Sequence, residues 1–118
     1  NNEYITTNIF LNKSNKKNGT LYVWEKSHNY GIFKFKFKKS YREKDGKPGN
    51  VAQTKKQFKV KTLNFSKGDL LILHGNCVHG SFPNNSKISR PLYSVSYLPI
   101  GEKFIPGKNA QRKRMKIN

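Results

Sequence analysis

The sequence predicts an all-β domain, a sandwich or a barrel, and three observations lead to that prediction. Short stretches rich in β-branched and aromatic residues recur along the 118 residues, separated by turn-forming clusters of Asn, Gly, Pro and Ser. Several stretches alternate apolar and polar residues with period two. No segment sustains the 3.6-residue apolar period of an amphipathic helix. Regularly spaced short strands are typical of sandwiches and barrels.

Two strands and a turn are predicted at the start of the chain. Residues 4–11 and 20–24 are rich in β-branched and aromatic side chains, which favours strands. The polar cluster 12–19 between them ends in Asn18-Gly19, a strong turn signal. The two strands could therefore form a hairpin.

The middle of the chain combines alternating segments with a polar one. Residues 33–38 alternate Phe with Lys, which predicts a half-buried strand with its Phe side chains on one core-facing side. Residues 41–54 are polar and contain Asp45-Gly46 and Pro48-Gly49, which predicts a loop. Apolar and polar residues alternate again over 58–62, which predicts a further strand.

Two more strands are predicted in the last part of the chain. Residues 70–73 are all apolar, as in a strand buried on both faces, and residues 92–98 form a final strand. Turn-forming residues occupy 66–69 and 83–86. From position 101 onward the sequence is basic, and we expect a frayed tail.

The charge of the chain is strongly positive. It has 24 Lys and Arg against six acids, a net charge of +18, which raises the hypothesis of nucleic-acid or acidic-surface binding. However, 20 of the 24 are Lys, whereas reading of base edges favours Arg. Fourteen Asn and two Ala accompany them, as an AT-rich genome would produce without any selected partner. We therefore interpret the charge as a feature of composition and do not expect a nucleic-acid partner.

Two further features concern the cellular setting. No apolar run approaches the ~20 residues that cross a membrane. Cys77 is the single cysteine, which excludes an internal disulfide and a zinc finger built on Cys pairs. A reducing, cytoplasmic location is the simplest expectation.

Candidate site residues concentrate in the last part of the chain. An apolar strand leads toward His79, and Ser81 shares its face if the chain stays extended. After a turn, Arg90 opens the returning strand, so pairing of these strands would bring His79 and Arg90 to one end of the domain. A neutral imidazole can bind iron, and a guanidinium can hold a carboxylate by two hydrogen bonds. From spacing alone, a His and an Arg that are solvated or salt-bridged at strand ends remain the alternative.

Two ordered motifs closely resemble those of the phytanoyl-CoA dioxygenase family of Fe(II)/2-oxoglutarate oxygenases. The C-terminal motif is a Gly-Asp turn, an apolar strand, His-Gly-Ser, Asn, Ser, Arg and a Tyr-ended strand, present here as Gly68-Asp69, 70–73, His79-Gly80-Ser81, Asn84, Ser86, Arg90 and Tyr97. The other is Asn-Gly, a short strand, Ser-His and Gly, present as Asn18-Gly19, 20–23, Ser27-His28 and Gly31. The chain departs from the family at Trp24-Glu25-Lys26, where Pro-Gly usually precedes Ser-His.

The resemblance implies a fold and a set of roles. The fold would be a double-stranded β-helix, a cupin-like jelly roll, incomplete at its N-terminus. His79 would be an iron ligand, Arg90 would pair with the distal carboxylate of 2-oxoglutarate, and Ser81 would help to hold that carboxylate. Asn8 would line the cosubstrate pocket. With Fe(II), 2-oxoglutarate and O2, the enzyme would hydroxylate a small organic substrate and release succinate.

The resemblance also implies that further iron ligands lie outside this chain. The family's other ligands form a His-x-Asp pair, and the sequence contains neither His-x-Asp nor His-x-Glu. By alignment the pair would lie just upstream of Asn1, so we expect the chain to be the C-terminal part of an oxygenase and inactive alone. Its oxygenase domain would occupy 1–100, with a basic insert around 31–62 and a tail at 101–118. Related halogenases replace the Asp of the pair by a small residue.

Two other classes stay open. A basic nucleic-acid-binding β module would use the Lys and Phe residues of 33–38, since aromatic rings between Lys residues can stack on single-stranded bases. A non-catalytic cupin-like protein would have lost its metal site. His28, His74 and Cys77 match no metal ligand of the family, and we interpret them as packing residues.

Overall fold

The computed structural model describes residues 4–42, 47–101, 115 and 117. These residues contain eight β-strands and one short 3₁₀ helix at Ser27–Tyr30, so the predicted all-β class is confirmed. The strands are β1 (Ile5–Phe10), β2 (Leu21–Trp24), β3 (Phe35–Arg42), β4 (Lys47–Ala52), β5 (Val60–Thr62), β6 (Leu70–His74), β7 (His79–Ser81) and β8 (Leu92–Tyr97). The described residues include no helix long and apolar enough to cross a membrane.

Six of these strands form two three-stranded antiparallel sheets. The first sheet has the order β6-β1-β8 and the second the order β5-β2-β7. β1 and β2 therefore lie in different sheets, and the predicted hairpin between them is wrong. Strands from the C-terminal half pair with both edges of β1. Residues 11–20, the linker between β1 and β2, therefore carry the chain to the other sheet. Backbone bridges from Ser14 to Phe65 and from Asn18 to Asn84 hold that linker.

The buried core is small. Phe10, at the end of β1, is fully buried and stacks on Phe65 with ring centroids 3.7 Å apart. Leu73 of β6 and Leu21 of β2 are the other buried apolar side chains of the described residues. Because few side chains share the burial, each contributes a large part of the apolar stabilisation.

Buried hydroxyl groups join the segment between β1 and β2 to the residue that follows β5. Ser14 and Thr20 are fully buried, and Ser14 Oγ donates a hydrogen bond to Thr20 Oγ1 at 2.8 Å. Thr20 Oγ1 in turn donates to the carbonyl of Leu63 at 2.6 Å. The chain of bonds satisfies polar groups that would otherwise be costly to bury.

The outer face of the first sheet is apolar and exposed. Alternate residues of a strand point to opposite faces, so Leu70 and Ile72 share this face with Ile9 and Tyr93. Leu70 is 56% exposed and Ile72 62% exposed. The prediction that β6 is buried on both faces is therefore wrong, because no described element covers its outer side.

β3 and β4 form a separate two-stranded ribbon. β4 lies within the segment predicted as a loop, so that prediction is wrong for its six residues. Pro48 is compatible with a strand here because each strand of a two-stranded ribbon has a free edge, where a missing N–H is tolerated. Pairing with β3 makes this segment a strand, which its polar sequence does not indicate.

The predicted core-facing row of Phe side chains is wrong at Phe35. This side chain is 54% exposed, whereas Phe33, just before the ribbon, packs edge-on against Phe58 at 5.7 Å between ring centroids. The ribbon stands apart from the two sheets, so nothing among the described residues buries its Phe35 side. The Phe37 side chain and most of the predicted tail lie outside the described residues.

Replacing Phe10 with Ala should lower the free energy of unfolding by about 3–5 kcal/mol, because it leaves a cavity against Phe65. Ile9→Ala, at the neighbouring residue of the same strand, is the matched control. Because Ile9 is 40% exposed, its truncation should cost about 1.5 kcal/mol or less. Denaturant unfolding followed by circular dichroism measures both variants. Equal losses would contradict the assignment of Phe10 to the core.

Candidate active site

β7 places His79 and Ser81 on the inner face of the second sheet. In its ladder with β2, His79 lies opposite Val23 and Ser81 lies opposite Leu21. Directly opposed residues of antiparallel strands share a face, so both side chains project to the side on which Leu21 is buried. Arg90, which precedes β8 of the first sheet, reaches Ser81 from that side. His79 and Ser81 therefore share the face of β7 on which Arg90 contacts Ser81.

The guanidinium of Arg90 is half-buried and incompletely paired. Its Nη2 lies 3.5 Å from Ser81 Oγ, which is a long hydrogen bond. Its Nη1 is buried and has no hydrogen-bond partner among the described residues. Burial lowers the pKa of the guanidinium from its ordinary value, yet arginine stays protonated in proteins. A buried, charged N–H without an acceptor is costly, so this position favours an anion.

The imidazole of His79 is oriented by the carbonyl of Cys77. His79 Nδ1 lies 2.9 Å from that oxygen. A carbonyl oxygen only accepts, so Nδ1 carries the proton and Nε2 of the neutral ring keeps a free lone pair. The side chain is exposed, so a ligand can reach Nε2. A metal-binding His commonly makes this kind of second hydrogen bond to a carbonyl.

The described residues do not form a complete metal site. Within the part of the chain that the structure describes, no group of three or more His, Cys, Asp or Glu is arranged to hold a metal ion. His28 and His74 contact each other, with ring centroids 5.3 Å apart. His74 Nδ1 accepts a hydrogen bond from the Asn76 backbone N–H at 3.1 Å. These contacts agree with the interpretation of both residues as packing residues.

Ser27, which sequence reasoning left without a role, holds the segment that leads into His79. Its side chain is fully buried, and its Oγ accepts a hydrogen bond from the Val78 backbone N–H at 2.9 Å. The Trp24 backbone N–H donates to the Val78 carbonyl, also at 2.9 Å. Val78 is thus held through both its N–H and its carbonyl. The Ser-His pair in the N-terminal motif was the signal that could have indicated this contact.

Cys77 behaves as a packing residue beside the same segment. Its Sγ lies 3.9 Å from Ser27 Oγ. Burial raises the pKa of the Cys77 thiol, and the hydrogen bond from Ser27 acts more weakly in the opposite direction. A thiol with a raised pKa is mainly protonated at neutral pH and is a poor nucleophile.

Two motif glycines are required by close contacts. Gly19 has a φ of 86°, which favours glycine, and a Cβ there would approach the Phe82 carbonyl oxygen to 2.9 Å. A Cβ at Gly80 would collide with the ring of Tyr22. Both contacts hold the chain around β2 against the chain around β7.

The turn at Trp24-Glu25-Lys26 ends in a left-handed residue. Lys26 has φ 60° and ψ 11°, a conformation that costs a residue with a Cβ about 1–2 kcal/mol but suits glycine. The family motif that this segment resembles usually has Gly at this position. The departure in sequence therefore carries a local conformational cost that a Gly at this position would not have.

Asn8 lies on the inner face of β1 and is almost fully buried, opposite Leu71 and Ser94. Among the described residues, no hydrogen bond joins its amide to Ser81 or Arg90. Sequence reasoning placed Asn8 in the cosubstrate pocket, and the structure leaves that a prediction.

Asn84 and Ser86 shape the turn that precedes Arg90. Asn84 Nδ2 donates to the Ile88 carbonyl at 2.8 Å, and the Ser86 backbone N–H donates to Asn84 Oδ1 at 2.9 Å. These bonds are local, so they fix how the chain returns toward β8.

Comparison with known proteins gives one match. The family model for phytanoyl-CoA dioxygenase matches residues 1–92 of the chain. No curated protein and no solved structure matches significantly. The matched range includes the N-terminal motif, the C-terminal motif as far as Arg90, and all of the candidate site residues.

The neutral His79 ring should carry its proton on Nδ1, because the Cys77 carbonyl can only accept. Long-range ¹H–¹⁵N correlation spectra at a pH of about 8, where imidazoles are neutral, distinguish the two ring nitrogens. Nδ1 should show the chemical shift of a protonated nitrogen and Nε2 that of an unprotonated one. The opposite pattern would show that Nε2 is not available as a ligand in the free protein.

Proposed function

Since the chain belongs to the phytanoyl-CoA dioxygenase family, we propose that it functions in an Fe(II)/2-oxoglutarate-dependent oxygenase that hydroxylates a small organic substrate. Proteins of this family generally use Fe(II), 2-oxoglutarate and O2. The observation that carries the proposal is the buried Nη1 of Arg90, which has no partner among the described residues. One carboxylate group of a dicarboxylate such as 2-oxoglutarate could accept a hydrogen bond from this nitrogen.

Arg90 and Ser81 would hold the distal carboxylate of 2-oxoglutarate. The carboxylate would accept hydrogen bonds from both terminal nitrogens of the guanidinium, a geometry for which Arg is suited. Ser81 Oγ, already beside Nη2, would donate to the same carboxylate. The anion would offset the cost of burying the Arg90 charge.

His79 would bind the iron through Nε2, while its Nδ1–H remains on the Cys77 carbonyl. The other ligands would come from outside the described residues, which contain no group of three. When bound, iron would supply the oxidising chemistry together with 2-oxoglutarate and O2, and 2-oxoglutarate would lose CO2 to become succinate. The task of Ser27 would be to keep His79 in place through Val78.

The arrangement of strands supports a double-stranded β-helix as the complete fold. His79 and Ser81 lie on one antiparallel sheet, and Arg90, which contacts Ser81, precedes the last strand of the other. In a jelly roll of this kind the ligand lies between the two sheets. The walls of the sandwich would exclude water from the site.

His79→Ala should abolish Fe(II) binding by the full-length protein and, with it, the conversion of 2-oxoglutarate to succinate. A facial metal site needs three ligands, and removing one leaves too few. Anaerobic titration with Fe(II) and measurement of succinate test the two effects separately. His28→Ala is the matched control, because His28 is exposed and should leave both quantities unchanged. Wild-type iron binding by His79→Ala would refute the assignment.

Arg90→Lys should raise the apparent 2-oxoglutarate requirement by roughly ten- to a hundredfold, the effect of losing one charge-assisted hydrogen bond. Lysine keeps the charge but offers no planar fork, so the change isolates the geometry of the contact. The measurement is the 2-oxoglutarate dependence of succinate formation. Lys87→Arg, the reverse exchange at an exposed position nearby, should have no effect. An unchanged requirement in Arg90→Lys would remove Arg90 from the proposed role.

A further inference from the structure

β5 brings a lysine to the inner face of the second sheet at the level of His79. Lys61 lies directly opposite Val23 in the β2–β5 ladder, and His79 lies directly opposite Val23 in the β2–β7 ladder. All three residues therefore share one face. Two strand spacings separate Lys61 from His79, about 10 Å between backbones.

No described residue pairs with the charge of Lys61. Its side chain is exposed, and it forms no ion pair with any described residue. Its direct cross-strand neighbour, Val23, is apolar. The acid nearest along the ladder is Glu25, two residues beyond Val23; its backbone N–H donates to the Lys59 carbonyl at 2.9 Å, and no ion pair joins it to Lys61 among the described residues. By contrast, the ammonium of Lys56 already lies 3.4 Å from the centre of the Tyr30 ring.

We propose that Lys61 binds an oxyanion group of the substrate, a carboxylate or a phosphate, next to His79. The inference rests on the proposed function, since that function makes the space beside His79 the place where a substrate lies. Arg90 contacts Ser81 on β7, whereas Lys61 lies on β5, at the opposite edge of the second sheet. The two cations would hold different anions, the cosubstrate and the substrate. A flexible four-carbon stem lets the ammonium follow a substrate as a point charge.

A purely protective role for Lys61 makes a different prediction. β5 is an edge strand of its sheet, and inward-pointing charges on edge strands prevent pairing between molecules. A lysine with that role would bind anions no better than any other exposed lysine. The comparison of Lys61 with a distant exposed lysine therefore separates the two roles.

The experiment is an anion titration of the full-length, iron-free protein with ¹³C-dimethylated lysines, a modification that keeps the charge. The Lys61 signal is identified by its loss in Lys61→Gln. The control is Lys67, whose signal is identified by its loss in Lys67→Gln. Lys67 is exposed and lies just before the start of β6, whereas His74 lies at the other end of that strand. Inorganic phosphate and acetate are titrated in separate arms at about 0.15 M salt, which screens exposed charges. The His79 ring signals are followed in the same titrations.

The Lys61 signal should respond at a concentration roughly tenfold lower than the Lys67 signal, the effect of one charge-assisted hydrogen bond in a defined site. His79 should respond with the midpoint of Lys61, because the anion lies between them. Selectivity for phosphate would indicate a phosphorylated substrate, and selectivity for acetate a carboxylic acid.

Equal midpoints for Lys61 and Lys67 in both arms would overturn the proposal, as would a tight Lys61 response without one from His79. Because the titration contains no iron and no 2-oxoglutarate, its failure is separate from a failure of the proposed oxygenase function. That function is tested by iron binding and succinate formation in His79→Ala.

Discussion

The antiparallel ladder between β2 and β7 is the constraint on which the candidate site depends. It sets His79 opposite Val23 and Ser81 opposite Leu21, and so decides which side chains face the first sheet. A slip of one residue would turn both side chains to the opposite face. Gly80 opposes such a slip, because the Tyr22 ring occupies the space that a Cβ would need there.

The two sequence motifs lie next to each other along this ladder and contact each other. Asn18 forms a backbone bridge with Asn84, and Gly19 lies against the carbonyl of Phe82. Ser27 binds the backbone N–H of Val78. Residues of the N-terminal motif thus hold the backbone of the C-terminal motif, while the C-terminal motif supplies the side chains of the candidate chemistry. A small buried core suffices to position these side chains because backbone hydrogen bonds carry much of the alignment.

Electrostatics distinguishes the two cations near His79. The half-buried guanidinium of Arg90 has lost part of its hydration and has one terminal nitrogen without an acceptor, so an anion there gains a strong interaction. Lys61 is exposed, and solvent and salt screen its charge. Burial and charge therefore make Arg90 the stronger contact for an anion and Lys61 the weaker one.

The sequence by itself determined the strands and turns whose signals are local. β1, β5 and β8 follow from β-branched and alternating residues, and the turn before β6 from Gly and Asp, because these depend on the conformational preferences of neighbouring residues. It also indicated His79, Ser81 and Arg90 as a set, since a short strand-turn-strand segment contains all three.

Only the tertiary structure decided which strands pair and which faces are covered. β1 and β2 separate into two sheets, residues 47–52 pair as a strand, and Ile72 stays exposed although residues 70–73 of its strand are all apolar. The role of Ser27 also depends on a partner far along the chain. The physical reason is that strand pairing and burial are non-local: an apolar run or a polar segment has the same local preference whether or not another element covers it.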